Sequence, residues 1–258
     1  MVSHRATRRV ASRPCRQLVQ KRDGIFVGAR VSPALGKSRI SSAEIIVLAM
    51  ISMMGATNAS GLESYPNDAQ ELQEQHAQIW AERGKSAFNA ADYPSAIQAY
   101  SQLLRLKPHD PRVFFNRGLA HKKLGDDVEA LKDFTDALTL DPTLHVALVN
   151  RARIYIAQKR SVDACADLTQ AASLRPNDPA IPFIRATAYA QMGDFNRAVE
   201  DLSRSIELKP DQASALAERG SVYFRMGQVE AAKKDFERAL LLDPNNERAR
   251  RQLGMIAE

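Results

Sequence analysis

An all-α fold of stacked helix–turn–helix units, an α-solenoid, is what this sequence predicts, and three sets of residues carry the prediction. Pro108, Pro142, Pro176, Pro210 and Pro244 stand 34 residues apart. Ala96, Ala130, Ala164, Ala198 and Ala232 keep the same interval, as do Leu106, Leu140, Leu174, Leu208 and Leu242. A period held through five units without insertion or deletion marks a repeat architecture, in which each unit buries its apolar face against its neighbours.

The chain begins with a leader, residues 1–59, whose chemistry differs from that of the body. The whole sequence of 258 residues is 45% apolar and 26% charged, which excludes a wholly disordered chain. Its formal charge is +6, yet residues 1–59 hold ten Lys/Arg against Asp23 and Glu44, leaving 26 basic and 28 acidic residues in 60–258. The body is therefore close to neutral, and the cationic excess does not describe a nucleic-acid-binding surface. Residues 1–44 are rich in Arg and Ser; Ile45 to Ala56 is an apolar run of twelve. That is short of the roughly 20 residues that span a bilayer, and it has the length of a secretory signal core with small residues behind it. Cleavage is expected after Ala59, or after Ala56, giving an exported, periplasmic or secreted protein. An organelle transit peptide and an uncleaved membrane anchor at 45–56 are the alternatives. Cys15 falls in the leader and Cys165 stands alone in the body, so no intramolecular disulfide framework exists there.

Residues 60–76 form a polar lead-in, where Asn67-Asp68 is expected to cap a helix running through Leu72 into Trp80. Five units come next, 77–110, 111–144, 145–178, 179–212 and 213–246. Each reads as two helices, broken between them by runs such as Gly125-Asp126-Asp127 or Gly193-Asp194-Phe195, and ended by the recurring proline, which cannot continue the hydrogen-bond ladder. Small residues mark where two helices cross: Gly84, Gly118, Ala152, Ala186 and Gly220 on the first, the periodic alanines on the second. Tyr100, Phe134, Leu168, Leu202 and Phe236 surround the crossing. The fourth unit is expected to start irregularly, because Pro182 follows Pro179 by three residues and forfeits an amide donor near the first turn. Residues 247–258 read as a C-terminal capping helix, with Ala249, Leu253 and Ile256 inward and Glu247, Arg248, Arg250 and Arg251 outward.

Trp80, Gly84, Ala96, Tyr100 and Pro108 in the first unit, and Phe114, Gly118, Ala130, Phe134 and Pro142 in the second, make a pattern that resembles the tetratricopeptide repeat family. The resemblance covers residues 77–246. It implies a right-handed superhelix with the first helices lining the concave face, and a role in binding proteins or peptides. One departure is systematic. The family's leucine before the glycine is Arg83, Arg117, Arg151, Arg185 and Arg219 here, and Asp133, Asp167, Asp201 and Asp235 stand sixteen residues after the last four. An ion pair tying the two helices of each unit is expected; a ladder of free arginines for an acidic ligand is the alternative.

Catalytic chemistry finds no constellation in the sequence. His76, His109, His121 and His145 are scattered over different repeats, no His/Cys/Glu spacing matches a zinc site, and no Gly-x-Ser-x-Gly elbow occurs. No cofactor, metal or enzymatic activity is expected. Set on the family's geometry, the inner face of the first three units carries Lys85, Phe88, Arg112, Phe115, Asn116, Lys122, Lys123, Asn150 and Arg153, and the inner positions contain no acid. This is the expected groove: cations for an acidic or carboxylate-bearing extended segment of a partner protein, aromatics as anchors, Asn amides for its backbone. Nucleic acid is not an expected partner, and a membrane only if the leader is retained. The places where chaperone-binding relatives clamp a terminal carboxylate read Ala81, Lys85, Asn116, Val146 and Asn150; only Asn116 matches. A non-enzymatic interaction scaffold is the leading expectation. A membrane-tethered structural subunit, anchored by residues 45–56, is the alternative.

Overall fold

The structure, a computed structural model, describes residues 65–257; the leader, its apolar run at 45–56 and the cleavage position lie outside the described residues. Among the described residues there are eleven α-helices and no strand. In chain order they are α1 (Tyr65–Asn89), α2 (Tyr93–Leu106), α3 (Pro111–Leu124), α4 (Asp127–Leu140), α5 (His145–Ala157), α6 (Ser161–Leu174), α7 (Ala180–Met192), α8 (Phe195–Leu208), α9 (Ala213–Arg225), α10 (Val229–Leu242) and α11 (Glu247–Ala257). Each helix packs on the next in sequence, so the domain is a quasi-linear stack of antiparallel pairs.

The crossings follow the small residues. Ala96, Ala130, Ala164, Ala198 and Ala232 are all fully buried. Opposite them the ring of the second helix lies flat on the first: a Cβ built on Gly84 would sit 2.5 Å from Tyr100 Cε1, and one on Gly220 would sit 2.7 Å from Phe236 Cε1. Only glycine leaves room for an aromatic ring there, and the units with Ala152 and Ala186 carry the slimmer Leu168 and Leu202 instead.

The turn inside each unit imposes the same backbone at one register position. Ala91, Gly125, Lys159, Gly193 and Gly227 all have φ between 59° and 88°. Three units meet this left-handed conformation with glycine; Ala91 and Lys159 adopt it with a side chain, at a cost of about 1–2 kcal/mol. The next residue caps the second helix: Asp92, Asp126 and Asp194 accept the backbone amides of Ser95, Glu129 and Arg197.

The arginine–aspartate pairs form in all four units that contain both residues. Arg117, Arg151, Arg185 and Arg219 each donate Nε and Nη2 to the two oxygens of Asp133, Asp167, Asp201 and Asp235, at 2.6–2.9 Å. The carboxylates are almost completely buried. Their hydrogen bonds raise each guanidinium pKa further, against the opposing effect of burial. The remaining nitrogen, Nη1, donates to Ser101, Thr135, Thr169 or Ser203 in the second helix of the preceding unit, at 3.0–3.2 Å. Each arginine thus ties its own two helices together and also holds the unit before it. Arg83, in the unit that has Ala99 in place of the aspartate, lies over the Trp80 ring, 4.9 Å from its centroid.

One local expectation changes and another takes a milder form. Helix α1 begins at Tyr65, so Asn67 and Asp68 lie within its first turn rather than capping it. Helix α7 begins at Ala180, one residue later than its register, but is otherwise regular. The amides of Ala180 and Ile181 donate to Asp178, and Phe183 donates to Pro179. Pro182 falls at the third helical position, where no intrahelical acceptor exists for an amide, so its missing donor costs nothing. The Pro179 carbonyl also accepts the buried Ser205 hydroxyl at 2.8 Å. In α11, Ala249 is buried, Leu253 and Ile256 pack on the preceding unit, and Arg248, Arg250 and Arg251 face solvent.

Candidate functional site: a groove lined by the first helices

Two clefts open between successive first helices. One, of about 480 Å³, runs between α1 and α3 with α2 beneath it; the other, of about 510 Å³, lies between α9 and α11. Of the expected groove residues, Lys85, Phe88, Arg112 and Asn116 all line the first cleft.

The expectation of an acid-free inner face is corrected. Glu82 and Asp110 line the first cleft, and Glu218 and Glu247 the second. The walls are broader than the innermost stripe of each helix, so residues at its edges contribute. Asp110 is occupied as the cap of α3, accepting the Arg112 amide at 2.9 Å. The floor also holds Tyr100, expected only as a packing residue. Burial pushes its phenol up, with the charge of Glu82 adding to the effect. The equivalent rings, Phe134 and Phe236, carry no hydroxyl, so this polar atom belongs to the first unit alone.

The aromatic and amide residues are less free than expected. Phe88 packs edge-on against Tyr93, with ring centroids 5.6 Å apart. Phe115 is half-buried against the central core, 5.8 Å from the Phe134 ring. Asn150 uses both ends of its amide: its nitrogen donates to the Val146 carbonyl at 2.8 Å, and its oxygen accepts from Lys122 Nζ at 3.3 Å.

Lys122, Asn150 and Arg153 belong to a second locality, where the last turn of α3 meets the middle of α5. Burial lowers the Lys122 pKa, and Arg153 and Lys123 lower it further, with only Asp127 opposing them. Among the described residues no carboxylate lies within 4 Å of a side-chain nitrogen of Lys85, Arg112, Lys122, Lys123 or Arg153; Lys107, Lys132, Arg160, Arg197, Arg204 and Arg248 have one, while Arg105, Lys233, Lys234 and Arg238 on second helices also lack one. Nor is there a group of His, Cys, Asp or Glu side chains able to hold a metal ion among the described residues.

Comparison with protein families finds the tetratricopeptide repeat over residues 84–154 and 203–257, and again over 183–212. The chain belongs to the tetratricopeptide repeat family. No curated protein matches it in sequence. Among solved structures, a MamA protein is similar with a TM-score of 0.62 at 22% identity, covering 66% of this chain and 93% of that one. MamA from Desulfovibrio magneticus RS-1 gives 0.64 at 18% identity, over 67% and 97% of the two chains. YrrB, described as a tetratricopeptide repeat protein with an unusual peptide-binding site, gives 0.63 at 18%, over 72% and 96%. At these identities the likeness is one of fold, and the repeat solenoid is the architecture they share.

Proposed function

We propose that this repeat protein is a non-enzymatic interaction scaffold that binds an extended, acidic or carboxylate-bearing segment of a partner protein along the groove of its first helices. The observation that carries the reading is the division of the cations. Four of the five ladder arginines are paired with buried aspartates, while Lys85, Arg112, Lys122, Lys123 and Arg153, all on first helices, have no carboxylate beside their side-chain nitrogens among the described residues. Cations left unneutralised on one concave surface focus positive potential there and speed encounter with an anionic partner. The first cleft adds neutral donors and apolar surface beside the charge, the mixture that recognises a peptide rather than a bare ion. YrrB offers a precedent for a peptide site on this fold.

The test is selection from a display library of linear peptides, followed by binding to the body with Lys122→Glu and Arg153→Glu together. Enrichment of acidic peptides, and their loss from the charge-reversed variant at low and moderate salt, is the expected result. Enrichment without acidic character, or binding unchanged by charge reversal in a protein of intact helicity, would move the interaction off this face.

A further inference from the structure

At the junction of α3 and α5 one cation is braced across two units. Lys122 is half-buried, and its ammonium reaches across the unit boundary to Asn150 Oδ1 at 3.3 Å. Asn150 is fixed in turn by its bond to the Val146 carbonyl. Arg153 follows Asn150 by three residues, on the same face of α5. Lys123, beside Lys122, adds a third charge and is exposed. Arg153 and Lys123 act on Lys122 as like charges, Asp127 offsets part of their effect, and among the described residues no carboxylate lies within ion-pair distance of the three side chains. Local conflict of this kind, only partly compensated by the fold, is expected where a ligand completes the balance.

We propose that Lys122, Lys123 and Arg153 form a discrete subsite for a doubly negative oxyanion, held across the α3–α5 junction with Asn150 as the brace that aims Lys122. The inference deepens the groove reading and rests on it for the biological carrier: the group is a phosphate ester or a pair of neighbouring carboxylates on the docked segment. A single carboxylate leaves part of the cationic cluster unpaired; a dianion can engage a cation from each helix, through the strong hydrogen bonds that charged donors make to oxyanions. The site is separate from the α1–α3 cleft, and none of its three cations occupies a place used by the family's terminal-carboxylate clamp.

The experiment uses small anions, so that it does not depend on knowing the partner. Inorganic phosphate, succinate and acetate are titrated at pH 7.5 and constant ionic strength, and the shifts of the Asn150 side-chain amide, which every variant keeps, are followed by NMR. Phosphate or succinate should bind about tenfold more tightly than acetate, the ratio that one well-placed additional charge contact supplies. Lys122→Met and, separately, Arg153→Gln should remove that preference, whereas Lys85→Met with Arg112→Met should leave it within about twofold. Arg153 is exposed, so its variant tests the site even if Lys122→Met disturbs packing. Equal binding of acetate and phosphate, or a preference that survives both subsite variants, would overturn the proposal. A dianion preference in a protein that selects no peptide would keep the subsite and end the groove reading; acidic peptide binding with no dianion preference would do the reverse.

Discussion

Removing the carboxylate of Asp133 tests whether the arginine–aspartate ladder stabilises the solenoid or merely decorates it. Asp133→Ala deletes two charge-assisted hydrogen bonds, at 2.6 and 2.9 Å from Arg117. Its side chain is 1% exposed and that of Arg117 21%, so the stranded guanidinium is only partly rehydrated. Breaking a buried pair by losing one partner costs about 3–5 kcal/mol. Partial access of water to Arg117, and its surviving bond to Ser101, bring the expectation down to about 2–4 kcal/mol. Asp163→Ala is the control, because Arg160 and Asp163 are each about half exposed and such a pair contributes about 0–1 kcal/mol. Urea unfolding followed by circular dichroism gives both values. Hydrogen exchange of the α3 and α4 amides shows whether the loss is local, since repeat proteins need not unfold as one unit. A cost for Asp133→Ala no larger than for Asp163→Ala would refute the reasoning and show that the buried carboxylates are energetically neutral passengers. Replacing both partners, with Arg117→Met and Asp133→Leu, should recover much of the loss, because the penalty lies in stranding a charge rather than in lacking a pair.

The crossings and the C-terminal end give two further tests. Gly220→Ala should destabilise by about 1–3 kcal/mol, because its Cβ would meet the fully buried Phe236 ring, while Gly254→Ala, with nothing within 4 Å, should stabilise by up to about 1 kcal/mol through helix propensity; equal urea midpoints for the two would contradict this. Burial pushes the Glu218 carboxyl up, with Arg248 partly opposing. A raised folded pKa contributes stability below the unfolded value of about 4.3, and that contribution is lost as pH rises through the folded value. Wild-type stability relative to Glu218→Gln should therefore fall as pH rises from about 4.3 through the raised folded value, and a difference that stays constant or grows would reverse the assignment.

The architecture was legible in the sequence because every repeat solves the same packing problem and leaves the solution in register. The 34-residue spacing of Pro, Ala and Leu set the helix pairs, and the Arg and Asp sixteen residues apart foretold the ladder. Ser101, Thr135, Thr169 and Ser203 share that register, so the hydroxyl arm of the ladder was equally legible. The cap expectation failed by two residues, and the irregular start expected of the fourth unit came to a delay of one residue, since helix ends depend on which nearby acceptor an amide finds rather than on pattern. The groove depended on the packed helices. A periodic pattern says which face a residue is on, but not what that residue already touches. Only packing showed that Asn150 spends its amide on Val146 and Lys122, that Phe115 turns into the core, and that Glu82 and Asp110 edge into the first cleft. Electrostatic freedom is a property of neighbours from other helices. The cations paired within the fold could therefore be separated from those without a carboxylate beside them only once the helices had been brought together.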